Sequence, residues 1–213
     1  MNTIALDGDG VLLDYNAAYP LAWERAFGEN PSLRDPDAYS PLDRWNVRKV
    51  EGTELDKLRA AFDETFWSSI PAIPGALEAC EMLSRAGFHL VCVTALADRH
   101  GAARLQNLRS LGFPIERVIT TPGESHARSP KAQALSELMP LAFVDDFAPY
   151  LRGVDSSIHR ALILRDPVGS PNEGELLALS HSTHKDLLGF ATWLGSGDVL
   201  KSANPLPERR GEP

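Results

Sequence analysis

Four aspartates fall in two tight pairs, and each pair follows a short apolar run. Asp7 and Asp9 stand in Asp7-Gly8-Asp9-Gly10, directly after the run Thr3 to Leu6. Asp145 and Asp146 close the run Leu141 to Val144. In an extended chain, a spacing of two puts the Asp7 and Asp9 side chains on the same side. That arrangement suits one nucleophile and one proton carrier acting on one substrate atom. Gly8 and Gly10 remove side-chain bulk, so backbone N–H groups can come close to an anion. An Asp-Gly turn after a strand is also a common solvated turn, so the pair gains meaning only with its neighbours. Thr94 closes a third apolar run, His89 to Val93. Lys131 follows Ser129-Pro130, which read as an N-cap and a first-turn proline. A lysine in a first helical turn faces the positive end of the helix dipole, at a cost of about 0.3–1 kcal/mol. Such a placement points to another job: offsetting carboxylates and holding a phosphate oxygen.

These residues need a scaffold that gathers them. The runs Thr3 to Leu6, His89 to Val93, Leu141 to Val144 and Ala161 to Leu164, with the weaker Arg117 to Ile119, are continuous rather than alternating. Continuous runs fit strands buried on both faces of a parallel sheet. Helical patterns lie between them. Ala76 to Arg85 carries Leu77, Cys80 and Leu83 and stops at Gly87; His100 to Leu111 carries Leu105, Leu108 and Leu111 and stops at Gly112. Pro130 to Met139 is a third helix. Alternation of this kind predicts an α/β protein, a Rossmann-like doubly wound parallel sheet. Its active site would lie beyond the C-terminal strand ends, where Asp7, Asp9, Thr94, Asp145 and Asp146 converge. Four carboxylates on one edge raise one another's pKa and are costly to desolvate. A divalent cation resolves this, and a hard, all-oxygen donor set favours Mg²⁺ over zinc or copper.

One stretch interrupts the alternation. Residues 15–72 contain no good strand. Asn16 to Phe27 reads as one helix and Thr53 to Phe66 as another, with Thr53 as N-cap and Leu55, Leu58, Phe62 and Phe66 along one side. This predicts a small helical cap, 15–72, inserted in a catalytic core formed by 1–14 and 73–195. Residues 196–213 read as a loose tail. Trp23, Phe62, Phe66 and Trp67 read as cap core. Arg44, Trp45, Asn46, Arg48 and Lys49 form a basic patch that could bind a second anionic group, or an ordinary amphipathic turn. His126 and Arg128 precede Lys131, either at the mouth of a site or in a solvated loop, and His181 and His184 read as surface.

Composition excludes several classes. The chain has 213 residues and a formal net charge of -8, from 21 Lys and Arg against 29 Asp and Glu. It lacks the clustered positive charge needed to track nucleic acid. Its two cysteines, Cys80 and Cys92, exclude a disulfide scaffold or a thiolate zinc site and fit reduced, cytoplasmic thiols. No apolar run approaches the roughly 20 residues that span a bilayer, and the N-terminus does not read as a signal peptide. No Gly-x-Gly-x-x-Gly follows the first strand, which argues against a dinucleotide-dependent dehydrogenase. Nothing in the sequence marks an oligomeric state.

Taken in order, Asp7-Gly8-Asp9-Gly10-Val11, Thr94, Lys131 and Asp145-Asp146 resemble the four motifs of the haloacid dehalogenase superfamily. The resemblance spans about residues 1 to 195. It implies a Rossmann-like core with a mobile helical cap after the first motif, and it implies residue roles. Asp7 would attack phosphorus and form an aspartyl-phosphate; Asp9 would protonate the leaving oxygen and then activate water. Thr94, the Ala95 backbone N–H, Lys131 and Gly8 would hold the transferring phosphoryl. Mg²⁺ would be held by Asp7, the Asp9 main-chain carbonyl and Asp146, with Asp145 direct or through water. Superfamily members that cleave carbon–halogen bonds lack the second aspartate, since a halide leaves without a proton. The resemblance therefore implies a Mg²⁺-dependent phosphatase acting on a small phosphorylated metabolite. A phosphomutase or dehalogenase on the same fold, and a non-catalytic phospho-acceptor or binding module, are the competing readings. Position 8 departs from the family pattern: it is Gly where many relatives carry a bulky apolar residue.

Overall fold

A computed structural model describes residues 2–123 and 128–196. Six parallel strands form its sheet: β1 (Thr3–Leu6), β2 (His89–Thr94), β3 (Ile115–Thr120), β4 (Ala142–Asp145), β5 (His159–Ile163) and β6 (Ser182–His184). Their order is β3-β2-β1-β4-β5-β6, with every neighbouring pair parallel. The chain thus builds outward from β1 in one direction and then, starting at β4, in the other. The order reverses between β1 and β4, and a doubly wound sheet opens its crevice at such a point. This is the α/β, Rossmann-like fold expected from the sequence.

The central strands are apolar throughout because both sheet faces are covered. Ile4, Leu6, Cys92, Val144 and Ile163 face one core, whereas Ala5, Val93, Phe143 and Leu162 face the other. On the first face pack α5 (Ala76–Arg85), α6 (Gly101–Ser110) and α8 (Leu187–Gly195), through Cys80, Leu83, Leu108, Phe190 and Leu194. On the second packs α7 (Ala132–Leu138), through Leu135. Cys80 and Cys92 are buried and unpaired.

Between β1 and α5 run α1 (Tyr15–Phe27), α2 (Pro41–Arg44), α3 (Gly52–Ala61) and α4 (Glu64–Trp67). Asp14 caps α1, its carboxylate accepting from Ala17 N at 2.9 Å. The expected helix Thr53 to Phe66 is broken in two. The chain leaves the helix at Phe62, and Asp63 caps α4 by accepting from Phe66 N. Nor is Thr53 the N-cap; α3 begins at Gly52, after Glu51, with no side-chain cap. The insertion has a small core of its own, Tyr19, Trp23, Val50 and Leu58. Ala18, Ala22, Phe66 and Ile70 instead join the core beneath the sheet. Trp23 and Phe66 are thus interior, while Trp67 is turned toward α6 (below).

Other expectations shift as well. The buried face of α6 is Ala103, Arg104, Asn107 and Leu108; of the expected stripe, Leu108 is in the core, Leu111 packs against it, and Leu105 is half-buried. The strand expected over Ala161 to Leu164 ends at Ile163 and begins two residues earlier. Neither β6 nor α8 was expected, although Asp186 caps α8 and Leu187, Phe190, Ala191 and Leu194 mark its buried side. His184 lies in β6 rather than in a surface loop, and its ring shares the Ser182 hydroxyl with His159. His126 and residues 197–213 lie outside the described residues. Among the described residues, no helix is long and apolar enough to cross a membrane.

Candidate active site

The C-terminal ends of β1, β2 and β4 lie side by side, and each delivers a polar residue to one edge. Asp7 continues β1, its N–H donating to Val144 O at 2.9 Å. Thr94 ends β2 and is buried, Asp145 ends β4, and Asp146 follows it. The chain after Asp7 curls back, so that Gly8 O accepts from Leu12 N and Leu13 N at 3.0 and 2.8 Å. Two glycines permit this curl beside the cluster. A Cβ at Gly10 would stand 2.1 Å from Asp146 Oδ2, and its φ of +88° is a conformation L side chains avoid. A Cβ at Gly8 would meet Thr94 Oγ1 at 3.1 Å and the Arg104 guanidinium carbon at 3.6 Å.

Lys131 ties the cluster together. Its Nζ donates to Asp7 Oδ1 and, at 2.7 Å, to Asp145 Oδ2, while its side chain is 0% exposed. The ammonium also lies 4.6 Å from the Tyr150 ring centroid. Burial pulls the Lys131 ammonium down, but the Asp145 and Asp7 carboxylates outweigh it and hold the group above the usual lysine value. Lys131 is not in the first turn of its helix. It is the flanking residue before α7, and Ser129 Oγ accepts from its N–H at 3.1 Å. The direction of its side chain, more than its place near the dipole, gives it a role.

Every carboxyl shift resolved in this cluster is upward. Burial is the largest cause for Asp9, Asp145 and Asp146 alike. Arg104 opposes it at Asp9, Lys131 at Asp145 and Arg165 at Asp146, while the Asp7 charge adds to the rise at each. Asp146 is pushed up to about 6. These are carboxylates short of positive charge. Asp7, Asp145 and Asp146 each offer an oxygen such that the three lie within 4.8 Å of one another. A buried, all-oxygen group of this size suits a hard cation such as Mg²⁺.

Several residues at the site had not been picked out from the sequence. Arg104, 0% exposed, donates from Nη2 to Asp9 Oδ2 at 2.8 Å. Trp67 lies over its guanidinium, 5.2 Å from the ring centroid. Arg165 donates from Nε to Asp146 Oδ2 at 2.9 Å and also pairs with Asp166. The Asn172 amide and the Tyr39 hydroxyl donate to Asp146 O, at 2.7 and 3.3 Å. Arg104 carried a faint signal: it stands next to Ala103 and four before Leu108, on the helix face that turns out to be buried. Arg165 and Asn172 carried none that local pattern could read.

The basic patch around Trp45 does not assemble. Arg44 pairs with Asp166 at 2.6 Å, Arg48 with Glu29 and Glu54, and Lys49 with Glu51, the last two lysine and glutamate side chains 84% and 75% exposed. Trp45 Nε1 donates to Asn16 O at 2.8 Å. Ala95 follows β2, partly buried beside Thr94, and Arg128 is exposed.

A scan against protein-family models finds no match to the chain, and no curated protein matches it. Solved structures share its fold. A haloacid dehalogenase-family hydrolase from Deinococcus radiodurans, solved with bound phosphate and sodium, superimposes with a TM-score of 0.64 at 16% identity, over 93% of this chain and 97% of that one. A predicted phosphoglycolate phosphatase from Haemophilus somnus gives 0.62 at 13% identity, over 91% and 98%. An L-2-haloacid dehalogenase gives 0.55 at 17% identity, over 91% and 99%. The neighbours are haloacid dehalogenase-family proteins, and at these identities the likeness is one of fold.

Proposed function

We propose that this chain is a Mg²⁺-dependent phosphatase of the haloacid dehalogenase type, hydrolysing a small phosphomonoester through an aspartyl-phosphate. The observation that carries this reading is the Asp9 carboxyl, two residues beyond Asp7, paired with Arg104 at 2.8 Å and raised above the usual carboxylate range. A phosphate ester leaves as an alkoxide that needs a proton, and a carboxyl near Asp7 that holds its proton above the usual range can supply it. A departing halide would have no use for it. The helical insertion over the strand ends serves in this reading as the cap.

In the first half-reaction an Asp7 oxygen attacks phosphorus and the bond to the leaving oxygen breaks. The electron pair goes with that oxygen, which takes the proton from Asp9. In the second, Asp9 takes a proton from water, the water oxygen attacks phosphorus, and the Asp7 carboxylate is regenerated as phosphate leaves. Lys131, Thr94 and the backbone N–H groups of Gly8 and Ala95 hold the phosphoryl oxygens. Asp7, Asp145 and Asp146, with the Asp9 carbonyl, would hold Mg²⁺, which supplies charge neutralisation for the phosphoryl group. The substrate belongs to the class of small phosphorylated metabolites, and the reading places the protein in the cytoplasm, in keeping with two unpaired cysteines.

Phosphate release from a panel of phosphomonoesters, with Mg²⁺ and with EDTA, tests this. Release that needs the metal and vanishes in Asp7→Asn is expected. Release that persists in Asp7→Asn, or the absence of release from every ester by folded protein, overturns it.

A further inference from the structure

The two oxygens of Asp9 have unlike surroundings. Oδ2 accepts from Arg104 Nη2 at 2.8 Å, whereas Oδ1 is buried without a hydrogen-bond partner. Arg104 is itself unusual. Its side chain is 0% exposed, and its Nε and Nη1 have no partner. A buried guanidinium kept only for packing would gain from apolar replacement, and unpartnered buried donors make it costlier still. That cost is borne next to the proton carrier of the proposed reaction. Gly8 lies alongside, where a Cβ would be in ordinary contact with the guanidinium carbon at 3.6 Å. Trp67 of α4 covers the guanidinium from the insertion.

We infer that Arg104 is the positioning residue for Asp9, fixing which oxygen handles the proton; the inference rests on the phosphatase reading. An arginine stays protonated, so Oδ2 remains an acceptor and the exchangeable proton sits on Oδ1. Arg104 therefore aims Oδ1 at the leaving oxygen. The bond from phosphorus to that oxygen breaks as the Asp7–phosphorus bond forms, and the Oδ1 proton passes to the departing oxygen. Without Arg104 the carboxyl can rotate, and proton delivery fails while attack by Asp7 continues.

The test is the dependence on leaving group. kcat/KM reports steps only through departure of the leaving group, so it isolates this proton transfer. It should be measured for an alkyl phosphate, whose leaving oxygen needs a proton, and for p-nitrophenyl phosphate, whose does not. For Arg104→Met, the alkyl ester should lose on the order of 100-fold and p-nitrophenyl phosphate less than about fivefold. Arg104→Lys should recover part of the alkyl-ester loss and serves in its place if the Met variant does not fold. Trp67→Leu, which leaves the ion pair in place, should show the same selectivity in weaker form. Equal losses on both esters mean a structural role and overturn the inference while leaving the phosphatase reading intact. Hydrolysis of neither ester by the wild-type protein removes that reading and the inference with it.

Discussion

The two sides of the acidic cluster are charged alike but built differently. On one side Lys131 reaches two carboxylates, Asp7 and Asp145, from a fully buried position between aromatic rings. On the other, Arg104 reaches Asp9 alone, and unpartnered atoms remain on both groups. In the phosphatase reading, the first arrangement would hold charge in place around the phosphoryl group. The second holds one oxygen and leaves another free to take or give a proton. The difference is in the hydrogen bonding: Lys131 joins two carboxylates, while Arg104 and Asp9 keep unpartnered atoms, and the proposed reading gives attack to the first side and departure to the second.

The sharpest way to break the comparison is at Asp7, the proposed nucleophile. Asp7→Asn keeps shape but removes the attacking charge, and turnover should fall by on the order of 10⁴-fold or more in a phosphate-release assay. A smaller loss would place attack elsewhere. Next is Lys131→Met, which leaves two buried carboxylates without their counter-ion. Stability should fall by about 3–5 kcal/mol in a denaturant titration, unless Mg²⁺ is added.

A third prediction concerns pH. Burial raises Asp146 to about 6 in the folded state, from the ordinary 3.8. A raised carboxyl binds its proton more tightly when folded, so its stabilising contribution is full below pH 4 and lost as pH rises through about 6. The metal-free protein should therefore lose stability from this group as pH rises from 4 to 7, other groups held equal. Asp146→Asn should flatten that slope in chemical unfolding, and Mg²⁺ should stabilise more at pH 7.5 than at pH 4.5. An unchanged slope in the variant would show that Asp146 is not the source. The smallest effect belongs outside the cluster. Lys49→Ala removes an exposed ion pair with Glu51 and should change stability by less than about 0.5 kcal/mol, with KM unchanged. A large rise in KM would restore the basic patch as a binding surface.

Much of this site was legible because its main residues sit where elements end. Asp7, Thr94 and Asp145 each close or follow a continuous apolar run, and the order of runs and helices specifies a parallel sheet whose strand ends meet. Helix ends were harder, as Thr53 and the break at Phe62 show, since local capping competes with packing against the core. Arg104 and Arg165 were missed for a different reason. A charged residue on a helix or in a loop reads as solvated unless the element facing it is known, and for Arg104 that element is the Asp9 loop, 95 residues away in sequence. Short β6, with its polar Ser182-Thr183-His184, has no apolar pattern to reveal it. Position 8 shows the reverse case: a small residue visible in the sequence, whose closest neighbour, the Thr94 hydroxyl, only the fold places beside it.

The most direct test of the account is to trap the covalent step. The Asp9→Asn variant should still accept phosphate from p-nitrophenyl phosphate but release it slowly, for lack of a base to activate water. Borohydride reduction of the quenched protein, followed by peptide mass spectrometry, would then find homoserine at position 7. Phosphate release without any modified residue, or modification at a residue other than Asp7, would contradict it.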